Sequence, residues 1–329
     1  MTRKIIRAVL TIGILIALVW HVGPRAILGE LGAANPVFLV AAFAIVLTDS
    51  FIRSQNWRRL LWTLETSPSP TGIWRCYLVG GFLGTVLPST AATDAARGAM
   101  ATRWFGGPLG VYMASIVSLN ALGLVAACTL GLVAALWSLA RDTNSAEVFL
   151  VLVVSGGGIF GAVVAYIITL KLRTLRPVQP GTSHKMLDRL RDKALHFGGS
   201  LLQFRNGADL MKSFALALIG QGCRIMVLWF VSIALGAGIS FAQVALYGPL
   251  VMLFSLVPAS IGGFGGDQAA FVFFFARFGV DASTAFSVSF ATSVLYMCLS
   301  FLGGLVYLAG RPGGGDAGHP STSVPHIGA

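Results

Sequence analysis

Five polar side chains interrupt segments that are otherwise apolar enough to lie within a lipid bilayer: Asp94, Arg97, Arg224, Asp267 and Gln268. A charged group at the bilayer centre costs ~2.5 kcal/mol or more, so an ionisable residue at that depth is a candidate for function. An arginine in such a place suits a phosphate, and a carboxylate suits a cationic group. The five residues therefore predict binding of a charged molecule within the membrane.

Asp94 and Arg97 lie three residues apart, which places them on one face of a helix. Two interpretations remain open: an ion pair at the membrane edge that only fixes the local structure, or a pair that takes part in function. Asp267 and Gln268 follow the glycines of "IGGFGG", where a helix is expected to begin. The free N–H groups of a helix start attract anions, so Asp267 either caps this helix itself or selects a cationic group.

Arg224 lies well inside an apolar segment, in "GQGCRIMVLW", with no acid within one helical turn. Its counter-ion must come from elsewhere, and Asp94, Asp267 and a lipid phosphate are the options. The alternative is a side chain that extends to the membrane surface, which is strained this far from the ends of the segment. We therefore expect a buried role for Arg224.

Three further polar or aromatic features have simpler interpretations. Asp49 lies one turn before Arg53 and is expected to pair with it. Asn120, midway along an apolar segment, is typical of hydrogen bonding between membrane helices. Trp57 and Trp62, beside several arginines, predict an aromatic belt at the level of the lipid headgroups.

The elements that position these residues are membrane helices. Of 329 residues, 56% are hydrophobic and 11% are charged, whereas a soluble domain has roughly 25% charged residues. About 20 apolar residues are needed to cross a bilayer. Segments near that length span 5–22, 37–52, 109–138, 148–170, 212–236 and 283–309. The sequence therefore predicts an all-α polytopic membrane protein with about six full transmembrane helices.

The net charge of +11 comes mainly from lysines and arginines in the loops between these segments. Such loops are typically cytoplasmic, and this explains the charge better than nucleic-acid binding does. With the amino terminus in the cytoplasm, an ordinary crossing at 76–96 would place the basic loop at 171–212 outside. We therefore expect 76–96 to enter and leave on the cytoplasmic face and, by the same reasoning, 241–279 to enter and leave on the external face.

Both of these re-entrant segments contain residues that break helices. The first contains Pro88, and the second contains Pro258, Gly262, Gly263 and Gly265. Non-helical backbone at membrane depth is tolerated only where protein or water surrounds it, so both hairpins are expected to line a cavity. Each runs from an apolar arm through a proline to an acid followed by alanines. This similarity indicates a possible inverted repeat with a site near the bilayer midplane; the alternative is two unrelated kinked helices.

The expected domain organisation is one transmembrane domain over residues 1–310. Its loop at 171–211 has apolar residues at helical spacing opposite lysines and arginines, typical of an amphipathic helix on the inner leaflet that docks anionic headgroups or only anchors the loop. Residues 311–329 are rich in Gly, Pro and Ser and predict a disordered tail. No catalytic pair, metal cluster or nucleotide-binding loop is visible, so we expect neither an enzyme nor a cofactor.

Three stretches of the sequence resemble the lysylphosphatidylglycerol synthase transmembrane family of flippase-like proteins. They are "RSQNWRRLLW", "LPSTAATDAARGAM" and "VPASIGGFGGDQAAFVFFFARFGV" followed by "AFSVSFATSVLYMCLSFLGGLVYL". Asp94 and Arg97 match the family's pattern in the first hairpin. Asp267 and Gln268 stand where the family usually has Arg-Glu, and Asn120 stands where an arginine is common. These departures remove positive charge from the expected cavity.

The resemblance implies a bacterial cytoplasmic-membrane protein, with both termini in the cytoplasm, that moves an anionic phospholipid or lipid-linked headgroup across the bilayer. Members also occur without an aminoacyl-transferase domain, and this chain resembles such a stand-alone member. In this hypothesis Arg224 holds the phosphate, Asp94 with Arg97 gates the inner side, and Asp267 with Gln268 contacts the headgroup from outside. The alternative function is a non-transporting lipid-binding scaffold for an envelope-biosynthesis enzyme.

Overall fold

The protein is all-helical throughout the part described by this computed structural model, which comprises residues 29, 32–62, 68–85, 90–141, 146–174, 207–254 and 266–310. The α-helices in these ranges are α1 (Pro36–Trp62), α2 (Pro70–Thr85), α3 (Thr90–Phe105), α4 (Leu109–Leu139), α5 (Ala146–Thr174), α6 (Gly207–Ala234), α7 (Phe241–Phe254), α8 (Gly266–Phe275) and α9 (Ala282–Leu308). A short 3₁₀ helix, Ala276–Phe278, follows α8. The predicted all-α class is confirmed.

Four of these helices, α1, α4, α6 and α9, are long and apolar enough to cross a membrane. They correspond to four of the predicted spans, while 148–170 lies in α5 and 5–22 lies outside the described residues. α1 extends well past the predicted end at residue 52, because its second half packs inside the protein. Trp57 is fully buried, and its Nε1–H donates to Ser115 Oγ at 2.8 Å. The prediction that Trp57 belongs to a headgroup-level belt was therefore wrong.

The first hairpin consists of α2 and α3, which pack against each other in antiparallel orientation. Gly80 of α2 faces Arg97 of α3, and Gly84 faces Thr93. The chain thus reverses direction between Thr85 and Thr90 instead of continuing as one helix. Pro88, the predicted breaker, lies outside the described residues.

The close approach of α2 to α3 depends on Gly80. A methyl group at this position would lie 2.7 Å from Cα of Arg97, nearer than backbone and side-chain atoms can approach. We expect Gly80→Ala to destabilise the folded protein by about 1–3 kcal/mol, because one helix must shift. Unfolding in detergent measures this, with Gly222→Ala as the matched control, since a methyl group there meets nothing within 4 Å. Equal stability of the two variants would contradict this packing.

The second hairpin consists of α7 and α8, which also pack against each other. The ring of Tyr247 lies 5.6 Å from that of Phe274 and 6.1 Å from that of Phe275. These rings belong to the largest apolar core, which joins α7 and α8 to α1, α6 and α9. The predicted breakers of this hairpin lie outside the described residues; they are Pro258, Gly262, Gly263 and Gly265. How deeply either hairpin enters the membrane remains a prediction.

The helices α1 to α4 pack in the same pattern as α6 to α9. When α1, α2, α3 and α4 are matched in order with α6, α7, α8 and α9, each close packing between two of these eight helices has a counterpart. For example, α2 packs on α9, and α7 packs on α4. This is the arrangement expected of two repeats related by a two-fold axis.

The two repeats have opposite orientations. The backbone N–H of Asn35, before α1, donates to the carbonyl of Ala234 at the end of α6. Near the other end of α1, Asn56 Nδ2 donates to the carbonyl of Ser213 at 3.0 Å. The matched helices α1 and α6 are therefore antiparallel, as an inverted repeat requires. The predicted amphipathic helix, within 175–206, and the tail at 311–329 lie outside the described residues.

Candidate functional site

A buried carboxylate, that of Asp49, lies at the centre of the protein between two arginines. Asp49 is the central residue of α1 and is only 2% exposed. Arg53, one turn later, donates its Nε–H to both carboxylate oxygens, at 3.0 and 3.2 Å. Arg224 of α6 approaches from the other side, with its Nε 3.7 Å from Asp49 Oδ2. One negative charge thus faces two positive charges in the interior of a membrane protein.

Among the described side chains the counter-ion of Arg224 is therefore Asp49, which the sequence did not suggest. Asp94 pairs with Arg97 instead, while the side chain of Asp267 lies outside the described residues and a lipid phosphate remains a prediction. The sequence correctly indicated that Asp49 pairs with Arg53, but it gave no sign that the same carboxylate is shared. At 3.7 Å the contact between Arg224 and Asp49 is an ion pair without a hydrogen bond. The Nε atom of Arg224 is shielded from solvent and has no hydrogen-bond partner among the described residues.

A second polar cluster links the first hairpin to α4. Arg97 donates from Nη1 to Asp94 Oδ1 at 3.2 Å, so the expected pairing of these two residues on one helix face is confirmed. Asn120 of α4 donates from Nδ2 to Asp94 Oδ2 at 2.7 Å, which confirms its predicted role in joining helices. The guanidinium of Arg97 also lies 4.0 Å from the centre of the Tyr77 ring, a distance at which cation–π attraction is effective.

The contribution of Asn120 can be isolated with a double-mutant cycle. We expect Asn120→Ala and Asp94→Ala to show a coupling energy of about 0.6–1.7 kcal/mol, between the average and the largest value from double-mutant cycles of hydrogen bonds between membrane helices. Each single variant, the double variant and the unmodified protein are compared by unfolding in detergent. If the two substitutions are additive within experimental error, the hydrogen bond does not stabilise the packing of α3 on α4.

A cavity of about 130 Å³ connects the two polar clusters. It is lined by Asp49, Ser50, Tyr77, Leu78, Gly81, Arg97, Arg224, Tyr296, Leu299 and Ser300. These residues come from both repeats, since α1, α2 and α3 meet α6 and α9 here. The volume has room for several water molecules or a group of similar size.

The charge of this region suits an anion. Three arginines, Arg53, Arg97 and Arg224, pair with only two carboxylates, those of Asp49 and Asp94, which leaves one positive charge in excess among these residues. Like Arg224, Arg97 has a shielded Nε atom without a hydrogen-bond partner among the described residues. Buried donors left unpaired are costly, so a phosphate or carboxylate entering the cavity would be stabilised by both guanidinium groups.

The second predicted pair, Asp267 and Gln268, has a different setting. Gln268 is fully buried and donates from Nε2 to Ser293 Oγ of α9 at 3.1 Å. It is not one of the residues that line the cavity described above. The side chain of Asp267 lies outside the described residues. Contact of this pair with a headgroup therefore remains a prediction.

Comparison with known families identifies the chain. The sequence model of the lysylphosphatidylglycerol synthase TM region matches residues 4–304, nearly the whole sequence. The chain belongs to this family. Neither a search of curated proteins nor a search of solved structures gave a match.

Membership in the lysylphosphatidylglycerol synthase transmembrane family agrees with the fold described above. The family is membrane-embedded and is associated with lipid handling, so the chain is a multi-pass membrane protein in contact with lipid. Sequence reasoning missed Asp49 as part of the central site, together with Tyr77 and Tyr296. The position of Asp49 in the apolar segment before "SFIRSQNW" was the one available signal.

Proposed function

We propose that this protein translocates a phospholipid or a lipid-linked headgroup across the membrane by way of the cavity between its two repeats. The observation that carries the proposal is the cavity itself, which is lined by Arg97, Arg224 and the carboxylate of Asp49. The Nε atoms of both arginines are shielded from solvent and have no hydrogen-bond partner in the described part of the chain. The two guanidinium groups would supply the hydrogen bonds that a phosphate loses when it leaves water for the membrane. The apolar tails would remain in the surrounding lipid.

The residues have distinct roles in this proposal. Arg224 binds the phosphate, because among the described residues its only ion pair is the long one with Asp49 and its Nε–H makes no hydrogen bond, so it can form a charge-assisted hydrogen bond with the phosphate. Arg97 and Asp94 form the gate on the side of the first hairpin, since Arg97 lines the cavity and its partner Asp94 accepts a hydrogen bond from Asn120 of α4. Asp267 and Gln268 contact the headgroup from the side of the second hairpin. The protein acts as a transporter and not as an enzyme, and it resides in the bacterial cytoplasmic membrane.

Movement of labelled lipids in proteoliposomes tests the proposal. The purified chain is reconstituted with phospholipids that carry a fluorophore on one tail and differ in headgroup, and a membrane-impermeant quencher reports the labelled lipid in the outer leaflet. We expect quenching beyond the outer-leaflet fraction for at least one anionic headgroup. Quenching equal to that of empty vesicles for every headgroup would reject the proposal. Saturable lipid binding without movement would instead favour the scaffold function.

A further inference from the structure

The two repeats can be aligned from the positions at which their helices begin and end. α2 begins at Pro70 and α7 at Phe241, and the hydroxyl of the serine before each helix, Ser69 or Ser240, accepts a hydrogen bond from a backbone N–H of its first turn. After α3, and again after the 3₁₀ helix that follows α8, the chain has a glycine in left-handed conformation: Gly106 with φ 77° and Gly279 with φ 73°. The helices α4 and α9 start at the same distance beyond these two glycines. Between these two anchors the second repeat is two residues longer than the first, so each helix is aligned from its nearer anchor.

Hydrogen bonds between helices agree with this alignment. In the first repeat Asp94 of α3 accepts a hydrogen bond from Asn120 of α4. In the second repeat Gln268 of α8 donates to Ser293 of α9. Counted from the two left-handed glycines, Asn120 matches Ser293, and Asp94 matches Asp267, the neighbour of Gln268. Each hairpin is thus hydrogen-bonded to the long helix that follows it at corresponding positions along α4 and α9.

The same alignment places the two-fold axis at the central carboxylate. Counted back from the starts of α2 and α7, Asp49 matches Gly220, and Arg53 matches Arg224. Asp49 and Gly220 are also in contact, since a methyl group on Gly220 would lie 3.2 Å from Asp49 Oδ1. Equivalent residues of two repeats meet only at the axis that relates them. Because α1 and α6 are antiparallel, this axis lies across the helices, and rotation about it exchanges the two faces of the membrane.

A single carboxylate therefore serves two equivalent arginines. A side chain at position 220 would crowd the Asp49 carboxylate, and the repeat that contributes Gly220 leaves that space to Asp49. In the described state Asp49 accepts two hydrogen bonds from Arg53, whereas Arg224 remains at 3.7 Å. In the state related to this one by the two-fold axis, Asp49 would accept the hydrogen bonds from Arg224, and Arg53 would lie at the longer distance.

The cavity lies on one side of the axis and breaks the symmetry. Leu299 and Ser300 of α9 line it. Their counterparts on α4, counted from the two left-handed glycines, are Ala126 and Ala127, which are 0% and 3% exposed. In this structure the cavity therefore exposes Leu299 and Ser300 of the second repeat next to Arg224, whose Nε has no hydrogen-bond partner among the described residues. The equivalent residues of the first repeat are buried.

We propose that Arg53 and Arg224 bind the phosphate of the substrate in turn, one from each side of the membrane. Asp49 is the counter-ion of whichever arginine is not bound to the phosphate. The proposal rests on the translocation of a phosphate-bearing lipid proposed above. It assigns Arg53 to phosphate binding and Asp49 to positioning. The substrate phosphate and the Asp49 carboxylate exchange partners, so that neither arginine loses its counter-ion during the cycle.

Two reporter cysteines test the exchange. The four native cysteines, Cys76, Cys128, Cys223 and Cys298, are replaced by serine or alanine in the full chain. Ser300→Cys or Ala127→Cys is then added, and reaction with a small maleimide is timed in proteoliposomes. Arg53→Ala removes the hydrogen bonds of the described state, so we expect slower labelling at position 300 and faster labelling at position 127, by roughly tenfold in ratio. Arg224→Ala is expected to shift both rates in the opposite direction.

Arg141→Ala is the control, because Arg141 is exposed at the end of α4 and contacts the ring of Trp137. If an alanine variant does not fold, Arg53→Lys and Arg224→Lys keep the positive charge but lose the planar fork of the guanidinium, and smaller shifts in the same directions are expected. Shifts in the same direction for both arginines, or none in either series, would overturn the proposal. Reciprocal shifts without lipid movement would overturn the proposed function, while the alternation of Arg53 and Arg224 would stay supported. Lipid movement with unchanged reporters would overturn the pairing alone.

Discussion

Asp49→Ala is expected to destabilise the folded protein by about 3–5 kcal/mol, the largest effect of any single substitution at the site. The carboxylate is buried and faces Arg53 and Arg224. Its removal leaves the guanidinium of Arg53, whose side chain is 18% exposed, without its counter-ion and beside the positive charge of Arg224. An uncompensated buried charge costs about this much. Unfolding in detergent, followed by the near-ultraviolet signal of the tryptophans, measures the change.

Asp281→Ala is the matched control for this prediction. Asp281 precedes α9, is exposed, and its side chain makes no capping hydrogen bond, so the effect is expected to stay within ~0.5 kcal/mol. Asp49→Asn keeps the shape of the side chain and removes its charge, and we expect most of the loss to remain. An Asp49→Asn variant as stable as the unmodified protein would show that the shape of this side chain matters there and its charge does not.

Arg224→Ala is expected to slow lipid movement by at least about tenfold while leaving the protein folded. A hydrogen bond between charged groups contributes about 1.5–3 kcal/mol, which corresponds to roughly ten- to a hundredfold in rate if it forms in the rate-limiting step. Stability is expected to change little or to increase, because Asp49 retains its two hydrogen bonds from Arg53. Initial rates in proteoliposomes are compared with those of Arg141→Ala, whose side chain lies away from the cavity.

Arg224→Lys separates charge from geometry. Lysine supplies a positive charge but not the planar fork of an arginine, so we expect an intermediate rate. Unchanged movement in Arg224→Ala, with Arg141→Ala equally active, would exclude Arg224 as the phosphate ligand. A parallel loss of movement and of folded protein would mean that Arg224 acts through structure alone.

The fold could be predicted from sequence to the extent that bilayer physics dictates it. The long apolar segments at 109–138, 212–236 and 283–309 became long helices, because about 20 apolar residues in lipid have few alternatives to a helix. The chain reversal between α2 and α3 followed from the distribution of charge together with the helix breakers. The length of α1 could not be predicted in this way, since its second half is polar and is held by contacts such as Trp57 with Ser115.

The site could be predicted only where its residues are close in sequence. Asp94 with Arg97, and Asp49 with Arg53, are each within one helical turn, and both pairs form as expected. The contact of Arg224 with Asp49 joins helices that are far apart in the chain, and it depends on the register of α1 against α6. That register is set by small residues such as Gly220, whose role no local pattern reveals. Sequence alone therefore indicated the charged residues but not the carboxylate that they share.

Photo-crosslinking with two matched phospholipids tests most directly whether a headgroup enters the cavity. One lipid carries the photoreactive group on its headgroup and the other carries it on a tail, and the adducts are mapped by mass spectrometry in membranes. If the headgroup passes through the cavity, we expect headgroup adducts at Tyr77, Tyr296 or Ser300 that are reduced by excess unlabelled lipid. Tail adducts are expected at the exposed Phe301 and Leu305. Headgroup adducts confined to exposed residues, with none on the cavity wall, would contradict it.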